Sequence, residues 1–399
     1  MTARSCLPPL SLLLWLLLCP GARAADTLAV AAVGDIMMGT TWPEEILPPR
    51  DGEGIFDNVA EVLRDADIVF GNLEGPLLDG GEGVKCGKKP APKLPKPSLK
   101  VPKPMCFEFR TPPRYARHLA ATGFTAMNIA NNHTFDFGTG GVESTVAILE
   151  DVGIRAVGGD NVAAFCIRGR SVAVVGFSYS PPSPHSHPLQ DVPAAMEIVD
   201  RLKRCHDLVL VSFHGGAEGK DALRVIDADE IFAGVNRGNV VRFARAVIDA
   251  GADLVIGHGP HVPRAMEVYK GKLIAYSLGN FLTYGRFNLE GASGISLVLK
   301  VFVDMETGNF AGGAIVPVEL LCGGIPYLDP EKKSLAMIRE LSAEFQSEPG
   351  LVIGEDGVLT PVPPPEPFPP GEEPSPVEDQ MSSAGSSSGR RLPPMNRLT

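Results

Sequence analysis

The sequence predicts an α/β fold with buried sheets. Apolar, β-rich runs of strand length recur along the chain, and helical stretches separate several of them. Alternation of this kind is typical of largely parallel sheets covered by helices. The composition agrees with this fold class, because 44% hydrophobic and 21% charged residues in a chain of 399 are enough for a sizeable core.

The predicted strands are short runs rich in Val, Ile, Leu and Phe, bounded by turn residues. In chain order they occupy 27–33, 67–70, 124–129, 171–177, 207–213 and 253–257. Helices are predicted for GGVESTVAILEDVG and GNVVRFARAVIDAGA, each closed by a glycine where a helix end favours one. The later runs KLIAYSLGNF, GISLVLKVFVD and GGAIVPVEL have no long helices between them, which favours antiparallel pairing.

The two ends of the chain differ from its folded middle. Residues 1–24 combine an early arginine, a short apolar run and small residues at a cleavage position, which is typical of a secretory signal. A retained membrane anchor is the alternative. Residues 354–399 are dominated by Pro, Glu and Ser, and we expect them to be disordered. One domain at 25–345 is therefore predicted, acting in the periplasm or cell envelope.

The charge pattern excludes one class of partner and suggests another. A formal net charge of −11 repels phosphate backbones, so nucleic acid is not an expected partner. The loop 85–105 is nevertheless rich in Lys and Pro, which makes it either a contact for an anionic polymer or a solvated spacer. Its lysines are Lys85, Lys88, Lys89, Lys93, Lys96, Lys100 and Lys103. Cys86 and Cys106 bracket the loop, either as a disulfide in an oxidising compartment or as two unpaired thiols.

Five predicted strands are followed by a carboxylate, a carboxamide or an imidazole. Because strand ends of one polarity meet at one edge of an α/β sheet, we expect these side chains to lie together. Oxygen and imidazole donors without thiolate are typical ligands of divalent ions such as Mn, Zn or Fe, and one or two such ions can activate water for hydrolysis. Glycines 34, 71, 257 and 259 are expected to turn the backbone sharply there. The candidates are Asp35, Glu74, Asn131, Asn132, His133, His214, His258 and His261.

Each candidate also has a plainer interpretation. Asp35 or Asn132 alone would be a turn residue or helix cap, and His133 alone a half-buried histidine with its hydrogen bonds made. Asp136 either caps the turn before GTGGVESTV or contributes to the site. The recurrence of such residues after five separate strands favours a joint site over coincidence.

The sequence resembles the CapA-type capsule synthesis proteins. That family is associated with assembly and export of poly-γ-glutamate capsule and is related to the calcineurin-like metallophosphoesterases. The resemblance extends from about residue 28 to 320 and implies a four-layer α/β/β/α sandwich. The matching segments are VGDIMMG, GNLEGPL, FRTPP, NIANNHTFDFG, VSFHGG and DAGADLVIGHGPHVPRAMEVYKGKLIAYSLGNFL.

The resemblance also implies roles for individual residues. His133 would protonate the leaving group or stabilise charge on the transferred group. Asn131, Asp136 and Glu218 would support the ligands or contact the substrate. The implied metal ligands are Asp35, Glu74, Asn132, His214, His258 and His261.

Four departures from the related patterns bear on the site. Met37 stands where the phosphoesterase pattern has a metal-binding histidine, and the final pair of histidines has one extra residue between them. The first change removes one ligand, and both changes make a second metal less expected. Gly215 replaces a tryptophan of the CapA pattern, which is expected to open the pocket or change its preference, and Gly259 replaces a histidine.

Three functional classes follow from the sequence. The first is an exported metal-dependent hydrolase acting on a phosphoester or a γ-glutamyl amide. The second is a non-catalytic component of capsule-assembly machinery at the cell envelope that binds an anionic polymer, and the third is a structural protein with a relic polar edge. The chain contains no G-x-S-x-G, no H-E-x-x-H and no dinucleotide or P-loop glycine spacing, which argues against those enzyme classes.

Overall fold

Two β-sheets packed face to face form the centre of the fold. The computed structural model describes residues 26–86, 106–346 and 350–362, which belong to one compact unit. The helices are α1 Ala60–Arg64, α2 Ala116–Thr122, α3 Gly138–Asp151, α4 Val192–Lys203, α5 Val240–Asp249 and α6 Lys333–Phe345. The strands are β1 Thr27–Met37, β2 Ile68–Leu73, β3 Ala126–Asn128, β4 Arg155–Val157, β5 Ala163–Ile167, β6 Arg170–Ser178, β7 His187–Pro188, β8 Leu208–His214, β9 Ile231–Phe232, β10 Val235–Asn236, β11 Leu254–His258, β12 Met266–Tyr269, β13 Lys272–Ala275, β14 Asn280–Thr283, β15 Ile295–Asp304, β16 Phe310–Leu321, β17 Ile325–Leu328, β18 Leu351–Ile353 and β19 Val358–Pro361.

Both large sheets have a parallel centre. The first sheet has the order β18-β19-β16-β15-β1-β2-β3-β4, with β14 also on β1 and β17 on β16. Strands β1 to β4 are mutually parallel, whereas β15 and β16 are antiparallel. The second sheet has the order β12-β13-β11-β8-β6-β5, with β7 on β6, and its strands β6, β8, β11 and β13 are parallel. Strands β9 and β10 form a separate hairpin.

Three buried cores separate four layers. Because side chains alternate along a strand, β1 contributes Val30 to the core between the sheets and Val33 to the core facing helices α1 to α3. Ile256 of β11 also lies in the inter-sheet core. Behind the second sheet, Phe213 of β8 packs on Phe243 of α5, with ring centroids 5.6 Å apart. The predicted four-layer α/β/β/α sandwich is confirmed.

The predicted antiparallel pairing at the end of the domain is correct only in part. GISLVLKVFVD and GGAIVPVEL form β15 and β16, which pair antiparallel. KLIAYSLGNF, in contrast, contains β13, which is antiparallel to β12 but parallel to β11 in the second sheet, and the start of β14, which is parallel to β1 in the first. The chain crosses between sheets inside this run, and an apolar pattern does not encode which sheet a strand joins.

The prediction of disorder from residue 354 is wrong for its first residues. Strand β19 pairs with β16, and its Leu359 is 1% exposed, so this short apolar run completes the core. The predicted signal 1–24, the loop residues 87–105 and the tail beyond 362 lie outside the described residues. Among the described helices, none is long and apolar enough to cross a membrane.

Candidate metal centre

The polar side chains predicted at one edge come from both sheets. In the first sheet, Asp35 lies near the end of β1, Glu74 directly follows β2, and residues 131–133 follow β3. In the second sheet, β8 and β11 end in His214 and His258, which lie side by side in register. The strands were predicted to share a single sheet edge, whereas the structure brings two edges together.

Asp35, Glu74 and His261 form the centre of this group. One ligand atom from each lies within 4.8 Å of the others, which is close enough for all three to bind one metal ion. His261 Nδ1 is 2.9 Å from Asp35 Oδ2, and its Nε2 is 3.6 Å from Glu74 Oε1. Both carboxylates are at least 99% buried.

Unpartnered buried polar atoms occur in most of the residues predicted to bind metal. Both ring nitrogens of His214 and His258, both carboxylate oxygens of Glu74 and Oδ1 of Asn132 are buried without a hydrogen-bond partner in the described part of the chain. His258 Nδ1 lies 3.7 Å from Asp35 Oδ1. Each unpartnered buried polar group costs about 1–3 kcal/mol, so this concentration indicates a site for a cation. Oxygen and imidazole donors without sulfur fit a divalent ion.

Burial and mutual charge control the ionisation of the centre. Burial lowers the pKa of His258 to about 4 and that of His214 well below its usual range, so both rings are neutral at pH 7, as metal binding requires. Burial opposes charge on Asp35, but contacts with His261 lower the pKa of Asp35 to about 2. Burial raises the pKa of Glu74 to about 8. Burial likewise opposes charge on His261, yet Glu74 and Asp35 raise its pKa to about 10.

His133 is held in place beside the centre. Its Nδ1 lies 2.7 Å from Asp136 Oδ2, which also accepts a hydrogen bond of 2.8 Å from the backbone N–H of Phe109. The ring of Phe109 packs on the imidazole at 4.4 Å between centroids, and Lys85 Nζ lies 3.2 Å from Asp136 Oδ1. His133 Nε2 is 3.8 Å from Glu74 Oε1. Asp136 therefore contacts and orients a site histidine.

Sequence reasoning missed Asn72 as a residue of the site. Its Nδ2 donates to Asp35 Oδ1 at 2.8 Å, and its Oδ1 accepts from Asn128 and Asn131 at 2.8 and 3.1 Å. Asn131 in turn accepts a hydrogen bond of 2.9 Å from the backbone N–H of His133 and thereby shapes the loop. The available signal was a carboxamide in GNLEG, directly after the predicted strand 67–70, whereas the observed β2 continues to Leu73 and contains it.

The expectation that four glycines turn the backbone is wrong for three of them. Only Gly259 has a positive φ, +108°, and a Cβ there would also lie 2.8 Å from the His214 ring. At Gly34 the backbone is not left-handed, but a Cβ would lie 1.9 Å from the carbonyl oxygen of Gly279. Gly71 and Gly257 similarly leave room for neighbouring groups. These glycines allow close approach rather than a turn.

Two of the departures from the related patterns have structural explanations. Met37 is fully buried, and its sulfur accepts a hydrogen bond from the backbone N–H of Gly39 at 3.2 Å. A Cβ on Gly215 would lie 2.5 Å from Cδ2 of Leu189, so the missing tryptophan does not leave an open space there. Of the two alternatives expected at Gly215, an opened pocket does not fit, because Leu189 fills the position, and a changed preference stays a prediction.

The cysteines flanking the lysine-rich loop lie next to the His133 region. Cys86 and Cys106 form a disulfide, and the backbone N–H of Cys86 donates to Glu108 at 2.7 Å. Lys85 precedes the first cysteine, and Phe109 follows the second by three positions. The disulfide thus joins the two segments that contact Asp136 and His133.

Comparison with known proteins places the chain in a family. The family model described as bacterial capsule synthesis protein PGA_cap matches residues 29–284. The chain belongs to the PGA_cap family. The PGA biosynthesis protein CapA of Bacillus subtilis (strain 168) is 30% identical over 272 residues, and the capsule biosynthesis protein CapA of Bacillus anthracis is 29% identical over 280.

These PGA_cap relatives are matched over part of their length. The alignments cover 64% and 65% of this chain, and 63% and 61% of the Bacillus subtilis and Bacillus anthracis proteins respectively. Among solved structures, the calcineurin-like phosphoesterase YfkN from Bacillus subtilis aligns at 13% identity with a TM-score of 0.41. That alignment covers 79% of this chain and 96% of the YfkN chain.

Proposed function

We propose that this PGA_cap protein is an exported, divalent-metal-dependent hydrolase of capsule or poly-γ-glutamate synthesis or export. Its substrate would contain a phosphoester or a γ-glutamyl amide. The observation that supports the metal centre is the set of buried, unpartnered oxygen and nitrogen donors between the two sheets. The link to capsule polymer comes from family membership.

The proposed metal centre would hold one or two ions. Mn, Zn and Fe are all compatible with imidazole and carboxylate donors. When bound, such ions polarise a phosphoryl or carbonyl oxygen and lower the pKa of water. The residues that would hold them are Asp35, Glu74, Asn132, His214, His258 and His261.

His133 is the proposed proton donor to the leaving group. Asp136 Oδ2 lies 2.7 Å from Nδ1, closer than Lys85 Nζ at 3.3 Å, and Nε2 is on the side of Glu74 and the metal centre. From this position Nε2 would give a proton to the departing oxygen of a phosphoester or the departing nitrogen of an amide. Asp136 would stabilise the ring while it carries both protons.

The second candidate function is binding of an anionic polymer without turnover. Lys85, at the base of the lysine-rich loop, lies 3.3 Å from His133 Nδ1 and thus beside the centre. Such a protein would act with capsule-assembly machinery at the cell envelope. Bound metal together with no hydrolysis of any phosphoester or γ-glutamyl amide would favour this function.

We expect the purified full-length chain to contain roughly one or two divalent ions, measured by plasma mass spectrometry. The double variant His258→Ala/His261→Ala should lose them, because it removes two imidazoles next to Asp35. His206→Ala is a matched control, since within the described residues that ring has one hydrogen bond, to the carbonyl oxygen of Leu202. The control should keep the metal content of the wild type.

The same samples should be tested with p-nitrophenyl phosphate, its diester and a γ-glutamyl anilide. Turnover that is lost on chelation and restored by Mn, Zn or Fe would support the hydrolase. A wild-type protein that holds no metal after incubation with all three ions would rule out the proposed centre.

A further inference from the structure

Two buried arginines lie near the metal centre, and one of them is paired through both of its terminal nitrogens. Arg264 is fully buried, and its Nη1 and Nη2 donate to Glu230 at 2.9 and 2.8 Å. Nη2 also donates to the carbonyl oxygen of Ala217 at 2.9 Å. This fork-to-fork pairing is the arrangement expected of a structural arginine.

Arg237 differs from Arg264 in its contacts. Its side chain is 8% exposed, yet Nε and Nη1 are buried without a hydrogen-bond acceptor among the described residues. Nη1 lies 2.8 Å from Glu218 Oε1, so the two charges form an ion pair but not in hydrogen-bond geometry. A buried guanidinium with an unused Nε–H is costly, and it remains able to bind an additional anion.

Arg237 is fixed at the border of the metal centre. Its guanidinium lies 4.0 Å above the ring of Tyr179, and this ring is 6.0 Å from that of His214. Its carbonyl oxygen accepts a hydrogen bond from the backbone N–H of Gly216, two residues after His214. Stacking on Tyr179 sets the plane of the fork, so its orientation is prepared before a ligand binds.

The loop that carries Glu218 is also attached to the centre. The backbone N–H of Gly215 donates to the carbonyl oxygen of His258, and that of Gly219 donates to Pro260, each at 2.9 Å. Glu218 is therefore held between segments that end in proposed metal ligands. Its side chain is 20% exposed, which gives it access to solvent if another anion replaces it on Arg237.

We infer that Arg237 binds a second anionic group of the substrate, a carboxylate or a phosphate distinct from the group that is hydrolysed. Glu218 occupies this place on Arg237 when no substrate is bound. The inference rests on the proposed function, because it assumes that the reacting group binds at the metal centre. It narrows the substrate class to molecules with two or more anionic groups close together.

The test compares ligands that differ by one anionic group. Calorimetry on the metal-loaded full chain would measure Kd for glutarate against butyrate, and for pyrophosphate against inorganic phosphate. In the wild type we expect the doubly anionic member of one pair to bind on the order of ten- to a hundredfold more tightly, as charge-assisted hydrogen bonds do. A preference for glutarate would identify the group bound by Arg237 as a carboxylate, and a preference for pyrophosphate would identify it as a phosphate.

Arg237→Gln should abolish this preference while leaving the metal content unchanged, and Arg237→Lys should restore part of it. Glu218→Gln should keep or strengthen the preference, because it removes the competing carboxylate. If Glu218→Gln weakens it, or if Arg237→Gln retains it, the inference is wrong. If Arg237→Gln does not fold, the effect of Glu218→Gln on the preference still tests the inference.

Metal content measured on the same samples separates this inference from the proposed function. A chain without metal that still binds one doubly anionic probe through Arg237 would overturn the hydrolase but support the anion site. A metal-loaded wild type with no preference in either pair would overturn the anion site and leave the metal centre standing.

Discussion

Replacement of His133 by alanine is expected to lower kcat for the proposed hydrolysis by about 100- to 10,000-fold, the usual contribution of a positioned acid. The metal content should stay at the wild-type value, because the ring is anchored through Asp136 rather than through the candidate ligands. Steady-state kinetics and plasma mass spectrometry on one preparation would measure both quantities. The informative comparison is with His258→Ala/His261→Ala, which should lose the metal that His133→Ala keeps.

Two further variants make the His133 experiment specific. Asp136→Asn keeps an oxygen near His133 Nδ1 but removes the charge that stabilises the doubly protonated ring, so kcat should fall less than in His133→Ala. His206→Ala should retain full kcat. Loss of metal from His133→Ala would instead identify the histidine as a ligand, and unchanged kcat would remove it from the mechanism.

Replacement of Gly34 by alanine is expected to destabilise the protein by at least about 3 kcal/mol, the upper part of the range for overpacking. The added methyl group would lie 1.9 Å from the carbonyl oxygen of Gly279, and backbone cannot rotate away as a side chain does. Strands β1 and β14 would have to separate, and Asp35 is the next residue. Denaturant unfolding would measure the loss, and metal content should fall with it.

Gly140→Ala is the matched control for Gly34→Ala. This glycine lies in helix α3, and apart from its chain neighbours and the backbone of its own helix no described atom lies within 4 Å of a Cβ placed there. Because alanine loses less backbone entropy in a helix, the control should raise stability by up to about 1 kcal/mol. Equal stabilities for Gly34→Ala and Gly140→Ala would contradict the close approach of β1 and β14.

The sequence predicted the central strands and most of the polar cluster because each depends on a local pattern. A buried run that ends in Asp35 or His258 is visible along the chain, since apolar and polar residues are neighbours there. The assignment of β13 and β14 to different sheets was not predictable in this way. It depends on pairing between residues far apart in sequence, such as Asp35 with Asn280.

The residues that were missed have roles that exist only in three dimensions. In the sequence Asn72 is an ordinary carboxamide, and its role is visible only from its hydrogen bonds with Asp35 and Asn131. Arg237 belongs to none of the quoted motifs, and its importance depends on hydrogen bonds that it does not make. Gly34 was expected to turn the backbone, because no sequence pattern reveals that the backbone of Gly279 lies beside it.

The division of the candidate metal centre between two sheets would also make metal binding a reporter of complete folding. Its first donors come from residues 35–133 and its last from residues 214–261, so neither sheet alone contains the whole set. An ion that needs both sets has little affinity for a half-assembled chain and favours the packed state by mass action. Supply of metal would then act as a quality control on this protein, separating fully assembled molecules from those in which only one sheet has formed.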